Sequence, residues 1–200
     1  MRPTRTALCL IRHGQTPWNR DGRWQGHADP DLTAEALEEA RALARILVLE
    51  HAQRPFARLI ASDLSRARTT ASLVGELLDL RLELDPRLRE LDVGHWSGLT
   101  RSEIEALDGE TLRAFERGEP GVRPGDGETR VEIRERSHAF VCDLVERHAG
   151  ERILVVTHLG VIRALVPGAR PANLERFELI AEELAAMPID RSQRREEGPL

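Results

Sequence analysis

Apolar runs and polar breaks alternate along this chain with two distinct periods. Three runs are continuously apolar, as strands buried on both faces of a parallel sheet are: Ala7 to Ile11, Leu59 to Ala61 and Ile153 to Val156. They predict strands over 6–12, 57–62 and 152–157. Between them the period lengthens to that of a helix. Thr33 reads as an N-cap, and Ala36, Ala40, Leu43, Ala44 and Leu47 follow at helical spacing, which predicts an amphipathic helix over 33–51. A second helix is expected over 64–79, with Ala67, Ala71, Val74 and Leu78 on one face. Arg81 to Leu84 alternates and reads as a short strand.

The pattern is less regular elsewhere. Residues 13–31 read as a polar loop without structure, and a loop of that length in a compact domain usually has a function. Residues 86–127 read as a cap region. It holds helical fragments near 100–107 and 109–117, a break at Gly109 and a turn at Pro124-Gly125-Asp126-Gly127. A helix is expected over about 128–149 and a short one over Val161 to Leu165, stopped near Pro167-Gly168. Phe177 to Ile189 reads equally as helix or strand, and 191–200 as a flexible tail. No repeat or internal boundary interrupts residues 1–190, so one domain is expected. Alternating strands and helices argue for a three-layer α/β/α sandwich with a mostly parallel central sheet.

Composition narrows the partners. The chain has 200 residues, 32% of them charged, and a net charge of −5, which argues against a nucleic-acid binder. No apolar stretch approaches the ~20 residues of a membrane span, and Met1 to Arg5 leads into a strand without a signal-peptide pattern. A cytoplasmic protein is expected, with neither nucleic acid nor membrane as partner. A homodimer is left open. Cys9 and Cys142 lie in apolar patterns and read as reduced core residues. There is no His-Glu-x-x-His and no cysteine pair at ligand spacing, so no metal or other cofactor is expected.

Candidate chemistry gathers where the apolar runs end. The first runs into Arg12-His13-Gly14, the second into Ser62-Asp63-Leu64-Ser65-Arg66, the third into Thr157-His158. Parallel strands of an open sheet present ligand sites at their carboxyl edge. Two histidines and two arginines there suggest a positive pocket for an anion, most naturally a phosphate. His13 can attack phosphorus as a neutral imidazole. Arg12, Arg66 and His158 can hold the phosphoryl oxygens, with Arg66 near a helix N-terminus. Gly14 and Gly160 allow close backbone approach. A carboxyl beside the phosphate could protonate the leaving oxygen. On chemistry alone Glu90 and Asp92 are nearly equal for that role.

These motifs, taken in order, resemble the histidine phosphatase superfamily, also called phosphoglycerate-mutase-like. Leu10 to Thr16 with Trp18-Asn19 resembles its opening Arg-His-Gly signature; Gln25-Gly26, Asp29 and Leu32-Thr33 resemble the continuation. Ser62 to Ala67 resembles the second-arginine motif, Glu90 with Gly94, Trp96 and Gly98 the acid-bearing segment, and Thr157-His158 with Gly160 to Arg163 the second-histidine motif. The resemblance spans residues 8–165. It implies a phosphoglycerate-mutase-like fold, with His13 phosphorylated, Arg12, Arg66 and His158 holding the phosphoryl group, and Glu90 rather than Asp92 as proton donor. It further implies that Asn19, Gln25, Gly26 and the backbone at Leu159 touch substrate or phosphate, without a metal. The expected activity is a small phosphatase acting on a small phosphorylated metabolite. No mutase-type insertion closes the site. Mutase-type phosphoryl transfer, or a non-catalytic phospho-ligand module on the same fold, are the alternatives.

Two further readings carry less weight. Asp29-Pro30-Asp31-Leu32-Thr33 spells the Asp-x-Asp-x-Thr of haloacid-dehalogenase-like enzymes, but Gly26-His27-Ala28 precedes it where that motif needs a buried strand. Arg101, Arg113, Arg117 and Arg123 of the cap could select a second anionic group, although a solvated face is the simpler reading.

Overall fold

The computed structural model describes residues 5–189. Its centre is a sheet built from the apolar runs. Strands β1 (Ala7–Arg12), β2 (Arg58–Ala61), β3 (Leu82–Leu84), β4 (Arg152–Thr157) and β5 (Arg176–Ile180) lie in the order β3-β2-β4-β1-β5. All neighbours are parallel except β5, which runs antiparallel along the β1 edge.

Period-two alternation divides the strands between two apolar layers. Cys9 and Ile11 of β1, with Leu154 and Val156 of β4, face helices α2 (Ala34–Gln53) and α3 (Ser65–Leu78). Leu8 and Leu10, with Ile153 and Val155, face α5 (Arg130–Arg147), α6 (Leu159–Leu165) and α7 (Ala181–Ala185). Ala36, Ala40, Ala44 and Leu47 are the fully buried stripe of α2, as their spacing predicts. Truncating a core leucine such as Leu10 to alanine costs about 2–5 kcal/mol in a layer packed this way.

The least regular segments differ in detail from expectation in three places. The 13–31 loop contains a one-turn helix, α1 (Pro17–Arg20), held by a reciprocal capping box between Thr16 and Asn19 with Pro17 in its first turn. Four residues are too few for periodicity to show. The two expected cap fragments are present, run together as α4 (Arg101–Glu116) across a non-helical residue at Asp108, one position before the expected break at Gly109. The undecided 177–189 segment is both forms in succession. Phe177 and Leu179 alternate into β5, then Ala181 and Leu184 take helical spacing in α7. α6 also starts two residues earlier than expected, directly after His158. The 191–200 segment lies outside the described residues.

The cap closes over a separate cluster of Val93, Trp96, Ile104 and Leu112. Trp24 from the α1 loop packs edge-on against Trp96 and Phe115, at 5.6 and 5.8 Å between ring centroids. No described helix is long and apolar enough to cross a membrane.

Candidate active site

Three parallel strand ends converge here because the ladder continues past each. The His13 N–H donates to the Thr157 carbonyl at 2.9 Å, and the Ser62 N–H to the Val156 carbonyl at 3.1 Å. His13 and His158 are thereby set side by side, buried, with ring centroids 5.0 Å apart. Arg66 enters from the first turn of α3 and is wholly buried. Arg12 comes from the last position of β1.

Backbone carbonyls take the hydrogen bonds of the two guanidiniums, and the carboxylate of Asp29 stands 3.7 Å from Arg66. Arg66 donates through Nη1 to the Ala28 carbonyl at 2.7 Å and through Nη2 to the Gly26 carbonyl at 2.9 Å. Gly26 must be glycine for this: its φ is +49°, and a Cβ would lie 2.7 Å from Val93 Cγ2. Arg12 Nη1 donates to the Pro171 carbonyl at 2.9 Å. Carbonyls fix orientation and leave the charge intact, so both arginines remain available to an anion. Arg12 Nε, Arg66 Nε and both ring nitrogens of His158 are buried without a hydrogen-bond partner among the described residues. Buried donors left in this state are costly, and a phosphoryl group would satisfy them.

The tautomer of His13 follows from its neighbour. Nδ1 lies 2.7 Å from the Gly14 carbonyl, which can only accept. Nδ1 therefore carries the proton, and Nε2 keeps its lone pair. Burial pushes the His13 pKa well below its ordinary value, and the charges of Arg66 and Arg12 push the same way. Burial first, then Arg66 and His13, hold His158 down likewise. His13 is thus kept neutral and nucleophilic well below pH 6.5.

Glu90 reaches the pocket over the start of α6. Its Oε1 accepts from the Leu91 N–H and from the Gly160 N–H, both at 2.8 Å, which leaves Oε2 for a proton. A Cβ on Gly160 would stand 2.2 Å from that Oε1, so only glycine lets the carboxylate dock there. Its charge bears on both Arg12 and Arg66. Asp92 turns elsewhere, with Oδ1 accepting from the Gly94 N–H at 2.9 Å.

The expected substrate contacts have present partners of their own. Gln25 Oε1 accepts from Thr16 Oγ1 at 3.0 Å, and Asn19 Oδ1 accepts from the Thr16 N–H at 3.1 Å. Leu159 is the first residue of α6. Asp29, the leading residue of the Asp-x-Asp-x-Thr string, accepts from the Ser65 N–H at 2.8 Å and lies 3.7 Å from Arg66. It follows no strand, and among the described residues no three His, Cys, Asp or Glu side chains gather as metal ligands. Cys9 and Cys142 are free thiols; Cys9 is buried, with its pKa raised by burial to about 12.

Sequence reasoning missed three residues. Asn173 Nδ2 donates to the His13 carbonyl at 2.9 Å. His27 Nε2 donates to the Glu90 carbonyl at 2.8 Å, and Arg136 Nη2 donates to the same carbonyl at 2.9 Å. Arg136 is clamped by Glu128 and also donates to the Arg87 carbonyl at 2.7 Å. The Glu90 backbone carbonyl is therefore held by two side chains from different elements. Arg136 carried no signal beyond being one charge among many on an amphipathic helix.

A buried, neutral histidine set beside a second histidine and two guanidiniums, at the edge of a mostly parallel α/β sheet, is an arrangement suited to phosphoryl transfer. The chain belongs to the histidine phosphatase superfamily (branch 1), whose family model matches residues 8–195. It is 36% identical over 162 residues to the metal-independent phosphoserine phosphatase of Arabidopsis thaliana, covering 80% of this chain and 67% of that one. It is 34% identical over 167 residues to phosphoglycerate mutase-like protein 4 of the same plant, covering 82% and 71%. A mycobacterial glucosyl-3-phosphoglycerate phosphatase solved with VO3 superposes with a TM-score of 0.75 at 32% identity, over 86% of this chain and 91% of that one. The chain is a phosphatase of the histidine type.

Proposed function

We propose that the chain hydrolyses a small phosphorylated metabolite through a phosphohistidine formed at His13. The supporting observation is the state of His13: neutral, with Nδ1 committed to Gly14 and Nε2 free beside Arg12, Arg66 and His158. Nε2 attacks phosphorus and the ester P–O bond breaks. Arg12, Arg66 and His158 take the charge that builds on the phosphoryl oxygens. Glu90 acts as the general acid and delivers a proton from Oε2 to the leaving oxygen. It then takes a proton from a water, which attacks the phosphohistidine and releases inorganic phosphate. To Asn19, Gln25, Gly26 and the Leu159 backbone we assign the contacts to substrate or phosphate.

Phosphate release from a panel of phosphomonoesters, with EDTA present, tests this for wild type and His13→Ala. O-phosphoserine and glucosyl-3-phosphoglycerate head the panel because relatives carry those names. The expected result is turnover by wild type, an acid-labile phosphoenzyme, and a loss of roughly 10⁴-fold or more in His13→Ala. Full activity in His13→Ala would overturn the covalent step. Phosphoglycerate isomer exchange without release would make the chain a mutase.

A further inference from the structure

All 29 basic residues of this chain are arginine. Most described ones near the pocket are paired, and the four cap arginines offered by the sequence as a second anion site are all neutralised. Arg101 pairs with Glu116 at 2.7 Å, Arg117 with Glu119 at 2.6 Å, Arg123 with Glu132 at 2.5 Å, and Arg113 with Glu105. Two others are different. Arg130 opens α5, and Arg163 lies on α6. Neither has a carboxylate partner among the described residues; their side-chain bonds run to carbonyls. Arg130 Nη2 donates to the Phe115 carbonyl at 3.0 Å, and its guanidinium stacks 4.1 Å from the centre of the Phe115 ring. Arg163 Nε donates to the Ala169 carbonyl at 3.1 Å.

Both stand beside the phosphoryl pocket. Gly160, which carries the Glu90 carboxylate, also lies against Ile133: a Cβ there would be 3.1 Å from Ile133 Cδ1. Arg163 is three residues beyond Gly160 on α6, and Arg130 three residues before Ile133 on α5. Residues spaced by three share a helix face, so each guanidinium flanks that contact. Arg163 and Arg12 also grip one loop, at Ala169 and Pro171. Burial lowers the pKa of Arg12 and of Arg130, and the charge of Arg163 adds to both, opposed at Arg12 by Glu90. Three like charges held together without a neutralising carboxylate for two of them favour an anion from outside.

We propose that Arg130 and Arg163 form a second anion subsite, which takes a carboxylate carried by the substrate a few bonds from its phosphoester. One edge of each guanidinium is already bound to a carbonyl. The remaining N–H groups suit a planar two-oxygen acceptor. The phosphatase reading above supplies only the occupant of the first subsite.

The test compares calorimetric binding of phosphonoacetate, 3-phosphonopropionate and 4-phosphonobutyrate with counterparts that lack the carboxylate, methyl-, ethyl- and propylphosphonate. Wild type, Arg130→Gln, Arg163→Gln and the charge-keeping Arg130→Lys are used, alongside turnover of 3-phosphoglycerate against glycerol 3-phosphate. Wild type is expected to prefer at least one carboxylate by about tenfold or more, as a charge-assisted contact provides. Each glutamine variant should cut that preference below about threefold, and Arg130→Lys should keep part of it. No preference in wild type, or one that survives both glutamine variants, overturns the subsite. A preference that is present and arginine-dependent in a protein that hydrolyses no ester would support the subsite and overturn the hydrolase reading instead.

Discussion

The arginines of the pocket and those of the cap are the same residue put to opposite uses. Arg66 and Arg12 are held by carbonyls of Ala28, Gly26 and Pro171, and keep buried Nε atoms without partners. Arg101, Arg113, Arg117 and Arg123 meet carboxylates on the cap surface. A carbonyl orients a guanidinium without cancelling it; a carboxylate cancels it. What an arginine can do is therefore read from its partners rather than from its position near a site. Surface pairs of the second kind contribute little stability and no binding potential.

The sharpest way to break this comparison is Arg66→Gln. It removes a wholly buried charge that carbonyls orient and that has its nearest carboxylate, Asp29, 3.7 Å away. We expect kcat/KM for any accepted ester to fall by roughly 10³-fold, in the range of losing a preorganised donor to a developing oxyanion. A loss below tenfold in a variant with native circular dichroism would put Arg66 among the structural arginines. Next in size is Gly160→Ala, which touches no charge. Its methyl would occupy the space of Glu90 Oε1 and push the acid off α6. A loss of about 10²-fold is expected on alkyl phosphates and a much smaller one on p-nitrophenyl phosphate, whose leaving group needs no proton. Equal losses on both would show that Glu90 is not the acid.

Arg136→Gln tests the opposite kind of arginine, one paired to Glu128 yet close to the chemistry. It acts through the Glu90 carbonyl, so a loss of about tenfold is expected, again confined to poor leaving groups. Arg136→Lys should recover part of it. A loss shared equally by all esters would mean that Arg136 supports only the fold.

How much of this could be read without the structure depends on distance along the chain. Arg12, His13 and His158 were legible because each adjoins a continuously apolar run, and a buried strand carries its next residue to the sheet edge. Glu90 needed the family resemblance, since its neighbour Asp92 offers the same chemistry and only the fold turns it onto Gly94. Asn173 was not legible: it reaches the His13 carbonyl from 160 residues away, in a loop without periodicity. The fate of the cap arginines was equally hidden. Arg101 and Glu116 are fifteen residues apart, and Arg113 and Glu105 eight, separations at which the kink at Asp108 decides who meets whom. The Asp-x-Asp-x-Thr string could be set aside for the converse reason: no strand directly precedes it, and Asp29 accepts from the α3 backbone at Ser65.

The two buried histidines make a further contrast with the cap, in stability rather than rate. Both have folded pKa values well below 6.5. The unfolded chain binds protons at these positions first, so their neutral burial costs nothing above pH 6.5 and increasingly destabilises as pH falls below it. Urea midpoints in phosphate-free buffer should fall between pH 7 and pH 5.5, with a slope on the order of 1 kcal/mol per pH unit for each histidine. His158→Gln should flatten that slope. The acid limb of kcat/KM should also lie well below pH 6.5, because His13 stays neutral in the free enzyme. A limb centred at 6.5 that vanished in a His13 variant would contradict the buried, arginine-depressed nucleophile.

The smallest effect completes the comparison from the other side. Arg113→Gln removes a cap cation that already has its carboxylate, Glu105, on an exposed face. If partners decide what an arginine does, the change leaves Glu105 to Arg101, 3.6 Å away, and subtracts no charge that a substrate could have used. We expect kcat/KM to stay within about twofold for phosphomonoesters with and without a carboxylate, at every salt concentration tested. A selective loss on the carboxylate-bearing esters would show that the Glu105 pair opens when substrate binds. The cap arginines would then be a reserve of charge, and a paired guanidinium could no longer be told from a free one by its partner in the unliganded fold.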